Sequence, residues 1–500
     1  MILIRILPVF LLASAVAAGP DVYTVRADEG LDALEVELCA GDTPPARLHG
    51  ARGAGRYLEG PRRTRGSVRI RHDGGDTLHL DGMRPGDCLR WSVRVKEAAR
   101  ERSARHGRET DEPVVPSGVW LWRPERSARQ PLVRFDLPEG VGVSVPWTPL
   151  ADGRRGRDFV VNETPPGWPD LTALGRFDAQ ELPVPGGRLR LAILSGRPAP
   201  DRAALTEWIE ANARAVAAVY GRFPVPDAQL LVLPIGRGGE AVPWAQVQRG
   251  GGPSAHFYID QFRPLTEFRD DWTATHELSH MLLPYVARRD AWLSEGFASY
   301  YQNVLRARAG MITPEQAWQK VYDGFERGRR GTRGDTLAEV SRDMHRRGAF
   351  MRVYWSGAAV ALLADVELRE QSGGSKTLDL ALQRLADCCL PSHRTWTARE
   401  VLTRLDTLME TDVFVGLYER HKNARQFPDV APASTALGIL ERDGRLRFES
   451  GPEETALRRA IMTTPAAVLA DGTDTDTSHA PQPESTTRTG DSGSPRRTAP

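Results

Sequence analysis

The stretch DDWTATHELSHMLLPYVARRDAWLSEGFASYY, residues 270–301, decides how this chain is interpreted. It places two of only eleven histidines, His276 and His280, four residues apart, with Glu277 between them. Residues four apart lie on one face of a helix, so both imidazoles can reach the same metal ion. Glu277 is rotated by roughly 100° about the helix axis and can still reach a water on that ion.

A third ligand has to come from outside this first helix, because a catalytic zinc ion keeps three protein ligands and one water. Pro284 is positioned to end the helix, and residues 291–305, AWLSEGFASYYQNVL, restart one with Glu295 near its beginning. Packed antiparallel, the second helix can aim Glu295 back at the histidines. Two histidines and one glutamate have the charge and geometry of a zinc hydrolase site, so we expect one zinc ion here.

The resemblance to known families rests on these motifs in combination. HELSH followed by WLSEGFASYY resembles the aminopeptidase N family and the related glycyl aminopeptidase family, both gluzincin metallopeptidases. Two further stretches, residues 300–316 (YYQNVLRARAGMITPEQ) and residues 353–385 (VYWSGAAVALLADVELREQSGGSKTLDLALQRL), are similar to the glycyl aminopeptidase family. The resemblance covers about residues 205–410.

The resemblance implies a role for each matching residue. His276, His280 and Glu295 would bind zinc, and Glu277 would be the general base. Tyr354, in YWSGA, stands where these enzymes have a tyrosine that donates a hydrogen bond to the tetrahedral oxyanion. A half-buried helix aromatic is the alternative interpretation of Tyr354.

The segment GRGGEAVPW, residues 236–244, lies where these families carry a glycine-rich strand with a glutamate. Glu240 would accept the free α-ammonium of the substrate, and Gly239 would let the strand approach the substrate backbone. The segment departs from both family patterns, because Pro243 and Trp244 follow the glutamate. A turn glutamate without a substrate role is therefore the alternative interpretation of Glu240.

Two other departures concern the surroundings of the motif. The gap between His280 and Glu295 is shorter than in aminopeptidase N relatives, which predicts a trimmed loop and a reshaped cleft. The glycyl aminopeptidase family usually carries a PDZ module after its helices, and residues 430–470 are too short to form one.

Composition and the N-terminus bear on location and partners. The net charge of +1, without a basic stripe, gives no indication of nucleic-acid binding. The N-terminus, MILIRILPVFLLASAVAAGPD, is typical of a secretory signal cut after Ala17 or Ala18, and an uncleaved anchor is the alternative. No later segment has the roughly 20 apolar residues of a membrane span. We therefore expect an exported protein, periplasmic or extracellular. Export permits disulfides, so Cys39 and Cys88 can pair. A bridge between the adjacent Cys388 and Cys389 would be strained.

Hydrophobic periodicity divides the chain into an α+β multidomain protein. Residues 1–18 are the predicted signal peptide, and residues 19–200 alternate as strands do, which predicts a β-sandwich-like domain. Residues 201–430 change to a helical period around one buried strand. The resemblance to gluzincin peptidases implies that they form a thermolysin-like, mostly helical zinc peptidase domain. Residues 431–470 form a C-terminal extension, and residues 471–500 have the composition of a disordered tail.

The sequence therefore predicts an exported zinc peptidase, an aminopeptidase, acting on peptide or protein substrates with a zinc-activated water and Glu277 as base. One alternative is a zinc endopeptidase or oligopeptidase in which Glu240 is structural. Another is a non-catalytic envelope binding protein. His256 either lines the cleft or is an ordinary fold histidine. The oligomeric state stays open.

Overall fold

A computed structural model describes residues 19–103, 112–154, 156–165, 167–177 and 179–464. The predicted signal peptide and the predicted disordered tail lie outside these described residues. Among them, no helix is both long enough and apolar enough to cross a membrane. The described residues have an α+β architecture, as predicted, with a β domain followed by a mostly helical part.

The N-terminal domain is built from short strands that surround one apolar core. A seven-stranded sheet has the order β11-β12-β9-β1-β2-β7-β4, and two three-stranded sheets have the orders β3-β6-β5 and β10-β13-β8. Along β2 the alternating residues Leu34, Val36 and Leu38 are fully buried, as expected for a sheet with one face on a core. Cys39 and Cys88 form a disulfide between paired positions of β2 and β7. The elements are β1 (Val22–Ala27), β2 (Leu34–Cys39), β3 (Arg47–His49), β4 (Leu58–Arg65), β5 (Arg69–His72), β6 (Thr77–Asp81), β7 (Cys88–Val93), α1 (Val95–Ser103), β8 (Val114–Val115), β9 (Leu132–Asp136), β10 (Gly142–Ser144), β11 (Thr148–Pro149), β12 (Asp158–Val160) and β13 (Thr172–Gly175).

A second, mixed sheet belongs to the zinc-motif half of the chain; its three inner strands are parallel and its two edge strands are antiparallel to their neighbours. It contains β14 (Gln180–Val184), β15 (Gly187–Ile193), β16 (Asp227–Pro234), β17 (Trp244–Gln248) and β18 (Ser254–Ile259), in the order β14-β15-β16-β18-β17. Helix α2 (Arg202–Ala217) crosses over between the parallel strands β15 and β16. Strands β14 and β15 precede residue 200 and pair within this sheet, while the domain boundary at residue 200 stays a prediction. Periodicity along single strands does not record which distant strand each one pairs with.

Both faces of this sheet are covered. On β16, Leu230 and Val232 face the main core with the helices, whereas Leu231 and Leu233 pack with Val114 and other residues of the N-terminal domain. Strand β17 is antiparallel to β18 and forms one edge of the sheet. The sheet is thus held between the N-terminal domain and the helical region.

The helical region runs from α3 to the C-terminal extension and follows the sequence signals closely. Thr313 and Gln316 form a capping box at the start of α6, and Pro314 occupies its first turn. The extension packs onto the main core through Leu437, Ile461 and neighbouring residues and forms no module of its own. Cys388 and Cys389 are joined in a disulfide in spite of the expected strain. The elements are α3 (Leu265–Asp270), α4 (Thr273–Ser279), α5 (Ala291–Arg308), α6 (Pro314–Arg330), α7 (Leu337–Arg342), α8 (Met344–Arg347), α9 (Phe350–Ser372), α10 (Leu378–Cys389), α11 (Ala398–Met409), α12 (Val413–His421), α13 (Ala431–Ala436), β19 (Ile439–Arg442), β20 (Arg445–Phe448) and α14 (Pro452–Met462).

Helices α5 and α9 approach each other most closely at two glycines. A Cβ on Gly296 would lie 2.3 Å from the Cα of Gly357, and a Cβ on Gly357 would lie 1.8 Å from the carbonyl oxygen of Trp292. No residue other than glycine fits without separating the helices. Glu295 precedes the first glycine and Tyr354 lies one turn before the second, so this crossing sets the distance between those two side chains.

Candidate metal centre

Helix α4 is held at both ends by side chains outside the histidine motif. Its first turn is capped by Asp271, whose Oδ1 accepts a hydrogen bond from the Thr273 N–H at 2.7 Å. Its last turn continues as the 3-10 turn His280–Leu282. There, the Arg249 guanidinium donates to the carbonyl oxygens of His280 (2.8 Å) and Leu283 (3.2 Å). Side chains thus satisfy one N–H at the start of the helix and two carbonyl oxygens at and after its end, which restrains the backbone of the motif.

The structure brings His276, His280 and Glu295 together. Oε2 of Glu295 lies 3.3 Å from Nε2 of His276 and 3.5 Å from Nε2 of His280. A tetrahedral zinc ion with bonds of about 2.0–2.1 Å has ligand atoms about 3.3–3.4 Å apart, so these separations fit such an ion. Two imidazole nitrogens and one carboxylate oxygen are also a donor set that zinc favours. The antiparallel return of α5, expected from the sequence, produces this convergence.

The Nδ1 atoms of both histidines face hydrogen-bond partners, while their Nε2 atoms face Glu295. Nδ1 of His276 lies 2.8 Å from Oε1 of Gln302, and Nδ1 of His280 lies 3.0 Å from the Ser294 hydroxyl. An Nδ1–H that donates to these oxygens leaves the Nε2 lone pair free to face Glu295. Neither Gln302 nor Ser294 belongs to the candidate site residues named from the motifs. A signal existed for Gln302, since it lies seven residues, two helical turns, after Glu295.

Glu277 lies beside the two histidines. The ligand atoms of His276, Glu277 and His280 all lie within 4.8 Å of one another. Burial raises the pKa of Glu277 to about 7; His276 opposes that rise and Glu295 adds to it. Burial by itself would also raise the pKa of the Glu295 carboxyl. The imidazoles of His280 and His276 outweigh burial and hold this pKa well below the usual range. Burial and the neighbouring imidazoles thus shift the pKa values of these two carboxyls in opposite directions.

Tyr354 lies over the metal site from helix α9. Its ring stacks on that of His276, with centroids 5.8 Å apart and planes 12° apart. Burial, and then the carboxylates of Glu295 and Glu277, raise the pKa of Tyr354 well above its ordinary value. The hydroxyl therefore stays protonated and can donate a hydrogen bond to a developing anion.

The glycine-rich segment, residues 236–244, begins with a loop whose contacts differ from those of the buried metal-ligand group. Gly239 has φ of 88°, and its carbonyl accepts a hydrogen bond from Arg263, while the Gly238 N–H donates to Oδ2 of Asp260 at 2.9 Å. Glu240 is exposed at the tip of this loop. It lies near enough to Asp271, at the start of the zinc-motif helix, to contribute to the raised pKa of that carboxyl, which burial mainly causes. The substrate roles of Glu240 and Gly239 stay predictions.

His256 is not part of the zinc-motif group. It is fully buried on β18, with Nδ1 3.4 Å from Nε2 of Gln246. Burial lowers the pKa of His256 to about 3, so the imidazole is neutral at physiological pH. The ordinary fold-histidine interpretation therefore describes His256.

Comparison with known proteins agrees with the resemblance seen in the sequence. The family model of the M61 glycyl aminopeptidases matches residues 274–360, which include His276, Glu277, His280, Glu295 and Tyr354. No curated protein sequence matches the chain. The match and the His–Glu–His group support a zinc metallopeptidase domain, as predicted from the motifs.

Solved structures show the fold. An aminopeptidase N family protein from Idiomarina loihiensis has a TM-score of 0.64 and 14% identity, over 84% of this chain and 78% of that one. An M1 zinc metallopeptidase from Deinococcus radiodurans has a TM-score of 0.50 and 16% identity, over 82% and 93%. A mutant of the same Deinococcus enzyme, solved with the substrate Tyr-Ser-Ala, has a TM-score of 0.51 and 16% identity, over 82% and 94%. The order of β domain and helical zinc-motif domain is shared with these structures.

Proposed function

We propose that this protein is a zinc-dependent aminopeptidase that hydrolyses the first peptide bond of peptide substrates. The observation that carries the proposal is the convergence of His276, His280 and Glu295 at zinc-ligand separations, with Glu277 alongside. The M61 glycyl aminopeptidase match over the same residues supports the reaction class. The Deinococcus metallopeptidase solved with a tripeptide supports a peptide as the substrate class.

A zinc ion held by these three residues would supply a Lewis acid that polarises the scissile carbonyl and acidifies a water. Glu277 would take the proton of that water and pass it to the leaving amine, which suits a carboxyl with a pKa of about 7. The Tyr354 hydroxyl would donate to the oxygen of the former carbonyl as its negative charge develops. Glu240 would pair with the free α-ammonium and so limit cleavage to the N-terminus.

The replacement Glu277→Gln tests the mechanism because glutamine keeps the size and polarity of the side chain but cannot accept a proton. We expect this variant to bind zinc with unchanged stoichiometry, measured by elemental analysis. We expect kcat on aminoacyl fluorogenic amides to fall by about 10³-fold or more, since the base and the proton shuttle are lost together. Full turnover by the variant would refute the assigned role.

A second candidate is a zinc endopeptidase or oligopeptidase. The exposure of Glu240 favours this second candidate, because a solvated carboxylate at a loop tip restricts the substrate less than a buried one. Paired peptides with free and acetylated N-termini separate the two activities. An aminopeptidase rejects the acetylated peptide, whereas an endopeptidase cleaves both at internal bonds.

We also propose that the mature protein is exported. The leader-like N-terminus supports this, and the Cys39–Cys88 disulfide suits an oxidising compartment. Fractionation of cells that express the full chain, followed by mass measurement of the N-terminus, tests the location and the cut after Ala17 or Ala18.

A further inference from the structure

A cavity of about 830 Å³ lies between the N-terminal domain and the sheet that carries β17. Its wall on the domain side consists of Trp147 and of residues drawn from 49–52, 114–131, 161–164 and 167–171. On the sheet side the wall consists of Leu233, Trp244, Gln246, Gln248 and Tyr258. The volume lies in the range of small-molecule and peptide pockets.

Strand β17 joins this cavity to the zinc-motif helix. Trp244, Gln246 and Gln248 line the cavity, whereas Ala245 and Val247, which alternate with them, pack on the main core. The next residue, Arg249, donates to the carbonyl of His280 at 2.8 Å. One short strand therefore forms the wall of the cavity and also contacts the metal site.

A second contact connects the two regions. Trp168 lines the cavity, and its ring lies 4.7 Å from that of Tyr285, which follows the zinc-motif helix in the chain. Because β17 is an edge strand, a peptide in the cleft can pair with it, and successive side chains of that peptide then point alternately to the two faces of the sheet. One of these faces is the cavity.

The chemistry of the wall indicates which group of a peptide fits. Arg52, Arg123, Arg126 and Arg129 line the cavity. Of the acidic residues that also line it, Asp170 already accepts a hydrogen bond from the Ser117 N–H at 3.1 Å. The acidic residues number three, Glu125, Glu163 and Asp170, so the wall keeps an excess of positive charge. Guanidinium groups bind carboxylates in paired hydrogen bonds.

A backbone contact is also available. Gln248 is only 8% exposed, and its Oε1 has no hydrogen-bond partner among the described residues. Such a buried acceptor requires a donor, and the N–H of a peptide bond supplies one. β17 spans about 13 Å at roughly 3.3 Å per residue, so about four residues of an extended peptide can lie along it.

We propose that this interdomain cavity binds a carboxylate of the peptide substrate, downstream of the cleaved bond, through its arginines. The carboxylate comes either from an acidic side chain or from the C-terminus of a short peptide. This inference rests on the proposed peptidase function, since it assigns a substrate preference to the same site. The predicted result is a preference for short peptides or for peptides with an acidic residue near the N-terminus.

The experiment uses the full-length zinc-loaded protein and four tetrapeptides. Ala-Ala-Ala-Ala is supplied as the free acid and as the C-terminal amide, and Ala-Ala-Glu-Ala and Ala-Ala-Gln-Ala are supplied as amides. The first pair isolates the C-terminal carboxylate, and the second pair isolates an acidic side chain. We expect kcat/KM to be roughly five- to tenfold higher for the carboxylate member of at least one pair, mainly through KM.

The double replacement Arg126→Glu with Arg129→Glu should reduce that ratio to one or reverse it. Its matched control is Arg445→Glu with Arg447→Glu, which makes the same charge change at exposed positions of β20, and it should keep the ratio. Circular dichroism and thermal melting establish that both variants are folded. The proposal would be overturned if the native protein gave equal kcat/KM values within both peptide pairs. It would also be overturned if both double variants changed the kcat/KM ratio by the same factor.

An aminoacyl fluorogenic amide separates failure of this inference from failure of the proposed function, because it is too short to enter the cavity. Hydrolysis of this reporter without any carboxylate preference refutes the cavity alone. If the reporter and all peptides stay intact, the peptidase function fails, and affinity of the four peptides for the Glu277→Gln protein then tests the cavity directly. Equal affinity within both pairs would refute it there as well.

Discussion

Replacing Gln302 by leucine should weaken zinc binding without touching any ligand. The Oε1 of Gln302 lies 2.8 Å from Nδ1 of His276, and the two residues are 6% and 2% exposed. Leucine removes the acceptor and leaves a buried N–H without a partner, which costs about 1–3 kcal/mol. Loss of a hydrogen-bond partner behind a metal-binding histidine typically lowers metal affinity about 10–100-fold, or about 1.4–2.8 kcal/mol. The two estimates agree, so we expect the zinc Kd to rise by about that factor.

The assay is competition for zinc with a chromogenic chelator, followed by thermal melting with and without zinc. Gln302→Glu keeps an acceptor at the same position and should retain most of the affinity. Gln371→Leu, at an exposed position of α9, makes the same chemical change away from the site and should leave the Kd unaltered. A Gln302→Leu protein that is folded and binds zinc within about twofold of the native value would refute the orienting role.

Three other predictions concern the oxyanion donor, the helix crossing and a buried histidine. Tyr354→Phe should lower kcat by about 10²–10³-fold with zinc content and KM nearly unchanged, as steady-state kinetics and metal analysis would show; a change in KM alone would contradict the assignment. Gly357→Ala places a methyl group 1.8 Å from a carbonyl oxygen and should cost about 2–4 kcal/mol in urea unfolding, whereas Gly416→Ala, with nothing within 4 Å, should not destabilise. Burial lowers the pKa of His256 to about 3, so the unfolded state binds a proton that the folded state does not, and stability falls as pH drops from about 6.5 toward 3. Between pH 7 and pH 5, native protein should lose about 2 kcal/mol more than His256→Gln, and equal losses in denaturant titrations would contradict this.

The helical half of the molecule follows from local sequence signals. The four-residue spacing of His276 and His280, the proline after them and the new helix that begins before Glu295 are all short-range features. Helix periodicity and capping depend on residues within one or two turns, so they can be recognised without knowing the fold. The β-rich character of the N-terminal region was predicted for the same reason, from alternation along single strands.

Partners from distant parts of the chain were not recognised in advance. The contact of Arg249 with the His280 carbonyl joins residues 31 apart, and the assignment of β14 and β15 to the second sheet depends on pairing with β16. The interdomain cavity also exists only because the N-terminal domain packs against the sheet that contains β17. Such contacts are set by the packing of whole elements, and single-strand or single-helix patterns carry no record of which element lies opposite.

The sequence by itself determined the chemistry of this protein, because a metal site of the HExxH type requires its donors at helical spacing within one short segment. Only the tertiary structure decided the surroundings of that chemistry. The α5–α9 crossing at two glycines places Glu295 and Tyr354, and Gln302 and Ser294 contact the Nδ1 atoms of the two histidines. The N-terminal domain closes a cavity against β17. The physical reason is that ligand spacing is a local property of a helix, whereas orientation and access depend on side chains brought together by long-range packing.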